Sequence, residues 1–332
     1  MDAAASIKLS VLDLSVLNEG ASSGDALTAT TALARRADEL GYTRFWVAEH
    51  HNMPSVACTA PSVLIAHLAA LTSRIRVGSG GVMLPNHAPL VVAEQFAVLE
   101  ALHPGRIDLG IGRAPGTDYA TAAALRRSAD SLGAEDFPRH LLDVMGLLGD
   151  ERLPDGLSGK FHATPAARSF PQIFLLGSSD FSAQLAGILG LPFAFAHHFD
   201  MGGTLEATAL YRASFEPSVV LSEPYTIVTA NVLAAETAEE AEWHGASGRL
   251  AAVRRRTGRF TPLVSPQDAV DHPDFSGAEG LVTNRIVGEV SDVAARLREL
   301  ASRTAANELM VTAVAFDLAA RERSLELLAA RW

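Results

Sequence analysis

Short apolar runs and amphipathic helical stretches alternate along the whole chain, and this alternation limits the possible folds more than any other feature. The runs lie at 8–14, 44–48, 75–80, 107–112, 173–177, 192–197, 225–232 and 308–314. Each is followed, directly or after a loop, by a helical pattern. Eight such strand–helix units close a barrel, so the expected fold is α/β, a (β/α)8 TIM barrel made by residues 1–332 as a single domain. With 332 residues, 48% of them hydrophobic, the chain has the material for one large core. Helix boundaries carry signals: Asp25 precedes a helix that stops at Gly41, and Pro61 and Pro89 open two others. The one irregular stretch, 258–287, is rich in Pro, Gly and Asp and falls between strands seven and eight. It is expected to be a lid or a mobile insertion.

Charge and cysteine usage narrow the partners. A formal net charge of −11 argues against nucleic acid and against an anionic membrane surface. The single cysteine, Cys58, forms no internal disulfide, and the first residues lack the basic end and apolar run of a signal peptide. A cytoplasmic location is expected.

The run Arg44-Phe-Trp-Val-Ala-Glu-His-His-Asn52 fades from apolar to ionisable, as a barrel strand does where it delivers catalytic groups to the mouth. His50 and His51 are neighbours at a strand end, so their side chains point to opposite faces and only one looks into the barrel. Three further strand ends are rich in glycine: Val77 to Val82, Gly110 to Gly116, and Leu176 to Asp180. Glycine there lets a flat ligand lie against the backbone. Ser178, Ser179 and Ser182 surround a helix start, whose free N–H groups suit a phosphate, and Arg113 offers a bidentate cation. Each feature also has a plainer reading, since such glycines make ordinary turns, Ser179 suits a helix cap and Arg113 suits a surface carboxylate. Taken together they suggest a phosphorylated, largely planar cofactor. No metal is expected: a hydrolase site using His50 or His51 with His197 or His198 would rest on adjacent pairs whose members diverge.

Glu49-His50-His51-Asn52, Arg74 to Pro85, Ala93-Glu94-Gln95, His103-Pro-Gly-Arg106, Gly110-Ile-Gly-Arg113, Leu176-Gly-Ser-Ser179 and Asn307 to Val311 together resemble the bacterial-luciferase-like flavin monooxygenases, over essentially the whole chain and in the same order. The resemblance implies FMN, used reduced and supplied by a separate flavin reductase. Its phosphate would meet Arg113, the backbone near Pro115, and Ser178, Ser179 and Ser182. A cis peptide against the flavin ring would fall at Gly80-Gly81, His50 would be the catalytic histidine, and His197 would flank the flavin. The implied reaction is a monooxygenation, in which reduced flavin and O2 form a peroxyflavin that oxidises a small hydrophobic substrate, aldehyde-like or alkane-like. Leu14, Val82, Met83 and Phe195 are candidates to shield it. The resemblance also implies a homodimer formed through the helices at 59–71 and 89–102. Two positions depart from the luciferases: Gly112 stands where they have a reactive cysteine, and Ser178 where they have a glutamate. The alternatives on the same fold are an F420-dependent hydride-transferring oxidoreductase and a non-enzymatic flavin-binding protein.

Overall fold

The computed structural model describes residues 7–126, 135–153, 156–166, 168–199, 202–278 and 283–332. Each apolar run becomes a strand, and the intervening segments become the helices outside it. Strand β1 (Lys8–Asp13) leads to α1 (Ser23–Glu39). This helix starts earlier than Asp25 suggested. Ser22 is the cap and accepts from the Asp25 amide, while the Asp25 carboxylate takes the Ser22 amide in return. β2 (Arg44–Val47) is followed by α2 (Pro61–Leu71), and β3 (Arg76–Met83) by α3 (Pro89–Leu102). Proline at their first positions gives up an N–H that has no partner in a first turn. β4 (Ile107–Gly112) precedes α4 (Tyr119–Arg126) and α5 (Phe137–Leu147), β5 (Gln172–Gly177) precedes α6 (Asp180–Ile188), and β6 (Phe193–Phe195) precedes α7 (Thr204–Ala213). The long β7 (Thr226–Ala235) leads into α8 (Ala238–Arg256) and the short α9 (Pro266–Val270). After them come β8 (Ile286–Glu289), α10 (Val290–Thr304), β9 (Glu308–Thr312) and α11 (Leu318–Arg331).

Strands β1 to β7 pair in sequence order, β9 closes the circle between β7 and β1, and every pairing is parallel. The molecule is therefore an eight-stranded parallel barrel inside a layer of helices. The additional strand β8 pairs only with 232–235, the part of β7 that runs beyond the barrel.

Alternation along the strands sorts side chains into two cores. Val11, Phe45, Val77, Val228 and Leu309 face the helices, whereas Leu12, Trp46, Phe174, Ala194, Ile227 and Met310 fill the barrel interior. Below that inner layer, at the strand starts, lies a buried ionic floor. Arg44 donates to Asp108 (2.8 Å) and Glu308 (2.8 Å), Arg76 to Asp108 (2.7 Å), Trp46 Nε1 to Asp108 (3.0 Å), and Tyr225 to Glu308 (2.6 Å). Ser10 also donates to Glu308. Several donors on each carboxylate make this burial of charge tolerable.

One expected insertion is described in part, and one strand ends earlier than expected. Most of 258–287 is built: Leu263 bridges to Asn18, Val264, Ala269 and Phe275 pack against Ala246 and Leu250 of α8, and Ser265 caps α9 by accepting from the Asp268 amide. Residues 279–282, the remainder of the expected lid, lie outside the described residues. Strand β6 stops at Phe195, and His197–Phe199 form a single 3-10 turn. The expected continuation of the strand to His197 is thus replaced by a turn. No helix among the described residues is long and apolar enough to cross a membrane.

Candidate active site

The C-terminal strand ends surround one cavity, which the inner layer of the barrel closes from below. His50, Gly80, Gly81, Arg113, Ser178, Ser179 and Ser182 all line it. Seven residues from four neighbouring strand ends therefore share one cavity wall, at the barrel end where strand–helix loops gather.

Backbone forms much of the wall. The Gly80–Gly81 peptide is cis, the position named from the resemblance. A Cβ on Gly80 would stand 2.8 Å from Leu12 Cδ1, and one on Gly81 would stand 2.7 Å from the Gly110 carbonyl oxygen. No side chain fits at either position, so the strand end stays flat and close to whatever occupies the cavity. After β5, Ser179 occupies the cap position of α6, yet its hydroxyl makes no capping bond. It remains available beside the free N–H groups of the helix start. The guanidinium of Arg113 lies over the Phe181 ring, 4.4 Å from its centroid, which holds the cation beside that helix start.

The two adjacent histidines separate as alternation requires. His50 lines the cavity, and its amide donates to the Cys58 carbonyl (3.2 Å). Its Nδ1 is buried without a hydrogen-bond partner. Burial lowers the His50 pKa, the Glu49 carboxylate partly opposes this, and the His51 charge adds to it; the ring is neutral at pH 7. His51 turns away, and its Nε2 lies 2.7 Å from Glu49 Oε1. Glu49 is fully buried. Burial favours its neutral form, but hydrogen bonds from His87, His51 and the Met83 amide outweigh it and keep the carboxyl below its ordinary pKa.

Two expected residues are not on the cavity wall. Pro115 gives way there to its neighbour Ala114, and its carbonyl accepts from Asn86 Nδ2 at 2.8 Å. His197 faces an outer cleft, with Nδ1 2.7 Å from Thr204 Oγ1 and its carbonyl accepting from Asn284 (3.4 Å). His198 lines the cavity instead, because the 3-10 turn replaces strand alternation after Phe195. Burial pushes its pKa down to about 3, assisted by Arg255, His197 and His50. Its Nδ1 is also without a partner. Thr229 and Met310 complete the wall from β7 and β9, whose apolar runs gave no sign of which residues faced inward at this height. Among the described residues, no group of three or more His, Cys, Asp or Glu side chains is placed to hold a metal ion.

Comparison with known proteins shows the family and the fold. Residues 7–307 match the family model described as luciferase-like monooxygenase. A protein of Escherichia coli (strain K12) named luciferase-like monooxygenase is 43% identical over 328 residues, covering 97% of this chain and 96% of its own length. The N-acetyl-S-alkylcysteine monooxygenase of Bacillus subtilis (strain 168) is 35% identical over 334 residues, with 97% of each covered. Among solved structures, apo-MsnO8 superposes with a TM-score of 0.91 at 40% identity, covering 98% of both chains. More distant barrels share the fold alone. One is the oxygenating constituent of 3,6-diketocamphane monooxygenase in complex with FMN (TM-score 0.70, 18% identity, 97% and 96% covered). Another is an F420-dependent secondary alcohol dehydrogenase (TM-score 0.67, 14% identity, 97% and 98% covered). The protein belongs to the luciferase-like monooxygenase family.

Proposed function

We propose that the protein is a monooxygenase that binds reduced FMN, supplied by a separate flavin reductase, and oxidises a small hydrophobic substrate with O2. The observation that carries this reading is the composition of the cavity. A flat glycine wall with a cis peptide at the β3 end is flanked by a neutral histidine at the β2 end on one side, and by a cation and an uncapped helix start, after β4 and β5, on the other. These residues fit FMN: Gly80 and Gly81 would flank its ring, while Arg113, Ser178, Ser179 and Ser182 would hold its phosphate. When bound, the reduced flavin would supply two electrons to O2, so that one oxygen atom enters the substrate and the other leaves as water.

The chain itself supplies three things. The glycine wall orients the ring, and Arg113 with the α6 start anchors the phosphate. Leu12, Leu14, Trp46, Met83 and Phe199 keep water from the reacting atoms and receive an apolar substrate. The neutral imidazole of His50 takes up a proton and returns it, a task suited to a group whose ordinary pKa is about 6.5.

The deciding experiment titrates the protein with FMN, reduced FMN and F420, then supplies labelled O2 and an aldehyde panel to the reduced complex. Preferential binding of reduced FMN and label in the product support the reading. Hydride transfer with F420 and no O2 consumption overturns it in favour of a dehydrogenase on the same barrel, and flavin binding without turnover favours a carrier. Arg113→Ala should weaken reduced-FMN binding by about ten- to a hundred-fold, roughly 1.5–3 kcal/mol. Unchanged affinity removes Arg113 from the phosphate site.

A further inference from the structure

Glu49 carries more hydrogen bonds than a buried side chain needs in order to be satisfied. Its Oε1 accepts from His51 Nε2 (2.7 Å) and His87 Nε2 (2.9 Å), with Asn86 Nδ2 at 3.5 Å, and its Oε2 accepts from the Met83 amide (2.9 Å). These donors do not come from one element. His51 continues β2 beyond His50, Met83 ends the strand that contains Gly80 and Gly81, and Asn86 and His87 follow in the next loop.

The loop after β4, which begins with Arg113, is tied to the same point. Asn86 Nδ2 donates to the Pro115 carbonyl (2.8 Å), the His51 amide to the Gly116 carbonyl (3.4 Å), and Thr117 Oγ1 to the His51 carbonyl (2.8 Å). Gly116 adopts a φ of +65°, and a Cβ there would stand 2.9 Å from the Glu49 carbonyl oxygen. The loop therefore lies directly against the Glu49 backbone.

We propose that Glu49 is a positioning residue that joins three walls of the cavity: the β2 end with His50, the β3 end with Gly80–Gly81, and the loop with Arg113. The carboxylate faces away from the cavity and acts only through these neighbours. Ionisation is essential to the role, because a carboxylate accepts at every lone pair and donates nowhere. A glutamine of the same shape keeps these ties only if its NH2 turns to the imidazoles and both take the other tautomer, and every tie then becomes a neutral hydrogen bond, roughly half as strong as one to a carboxylate. Burial alone would favour the neutral acid, and the converging donors hold the group ionised.

The consequence for affinity rests on the flavin reading, whereas the tie itself does not, and the test separates them. In flavin-free protein, Glu49→Gln should speed hydrogen exchange at the Met83 and His51 amides together while leaving the barrel floor protected. Unchanged exchange at both overturns the proposal, whatever the cofactor is. The control is Asp38→Asn. This buried carboxylate at the other end of the barrel accepts from the Ser73, Arg74 and Ile75 amides (2.7, 3.0 and 2.7 Å). Both variants should lower Tm, but only Glu49→Gln should weaken reduced-FMN binding, by about tenfold. Equal loss in both, in step with Tm, overturns the positioning role. His51→Gln should reproduce part of the Glu49→Gln effect and add little to it in the double variant. Full additivity also overturns the proposal. If the wild-type protein binds no reduced flavin while the exchange result holds, the functional reading fails and the clamp stands.

Discussion

At the scale of the residue, the division of labour between His50 and His51 is the sharpest statement the structure makes. One lines the cavity with a free nitrogen; the other is spent on Glu49. His50→Ala should therefore lower turnover by about 10²–10⁴-fold while reduced-FMN affinity stays close to wild type. His51→Ala should cost stability and flavin affinity before chemistry. Steady-state kinetics beside a flavin titration checks both, and wild-type turnover in His50→Ala would refute the assignment. That pair was legible in the sequence because alternation at a strand end is a local rule. His197 and His198 obeyed a different rule: after Phe195 the chain leaves the strand for a 3-10 turn, and no local signal told which histidine would face inward. The role of Glu49 was visible only as part of a motif, because three of its partners, Met83, Asn86 and His87, lie 34 to 38 positions along the chain.

At the scale of the element, the eight barrel strands were readable because each is a short apolar run between helical stretches, and the register follows from closing them in order. The segment at 258–287 shows no helical periodicity in the sequence, although Ser265, Pro266 and Asp268 are a cap, a first-turn proline and a first-turn acid. A helix of five residues is too short to show periodicity, so only its cap could have revealed it. The outer faces of α2 and α3 lead to a prediction about assembly. Val63, Leu71, Val91, Val98 and Leu102 are between 43% and 71% exposed on helices that carry few charges. A second copy of the chain covering this face would remove them from water. Sedimentation at micromolar concentration should give twice the 35.0 kDa mass of the chain, and Val63→Glu with Leu102→Glu should return it to the monomer. A wild-type monomer at that concentration contradicts the expectation.

For the whole molecule, acid should be destabilising well above the range in which ordinary carboxylates titrate. His198 has its pKa pushed down to about 3, chiefly by burial and then by Arg255, and burial lowers His50 as well. In the unfolded chain both take up protons near pH 6.5. As pH falls below about 6.5, the unfolded state therefore binds protons that the folded state refuses, at His198 down to about pH 3, and stability decreases by up to about 1.4 kcal/mol per pH unit for each such proton. Glu49 acts in the same direction at lower pH: its stabilisation is complete above its unfolded value and is lost as pH falls through its depressed folded value. Tm measured from pH 7 to pH 4.5 should decline, and His198→Phe should flatten the slope; a level Tm in the wild type would refute the assignment. The ionic floor under Trp46 and Phe174 has another consequence. A barrel plugged at the bottom is a cul-de-sac, so whatever reaches its depth comes from the side of the strand ends. Depth then becomes order in time. The molecule seated deepest must enter first and depart last, and a slow visitor at the threshold delays all those behind it.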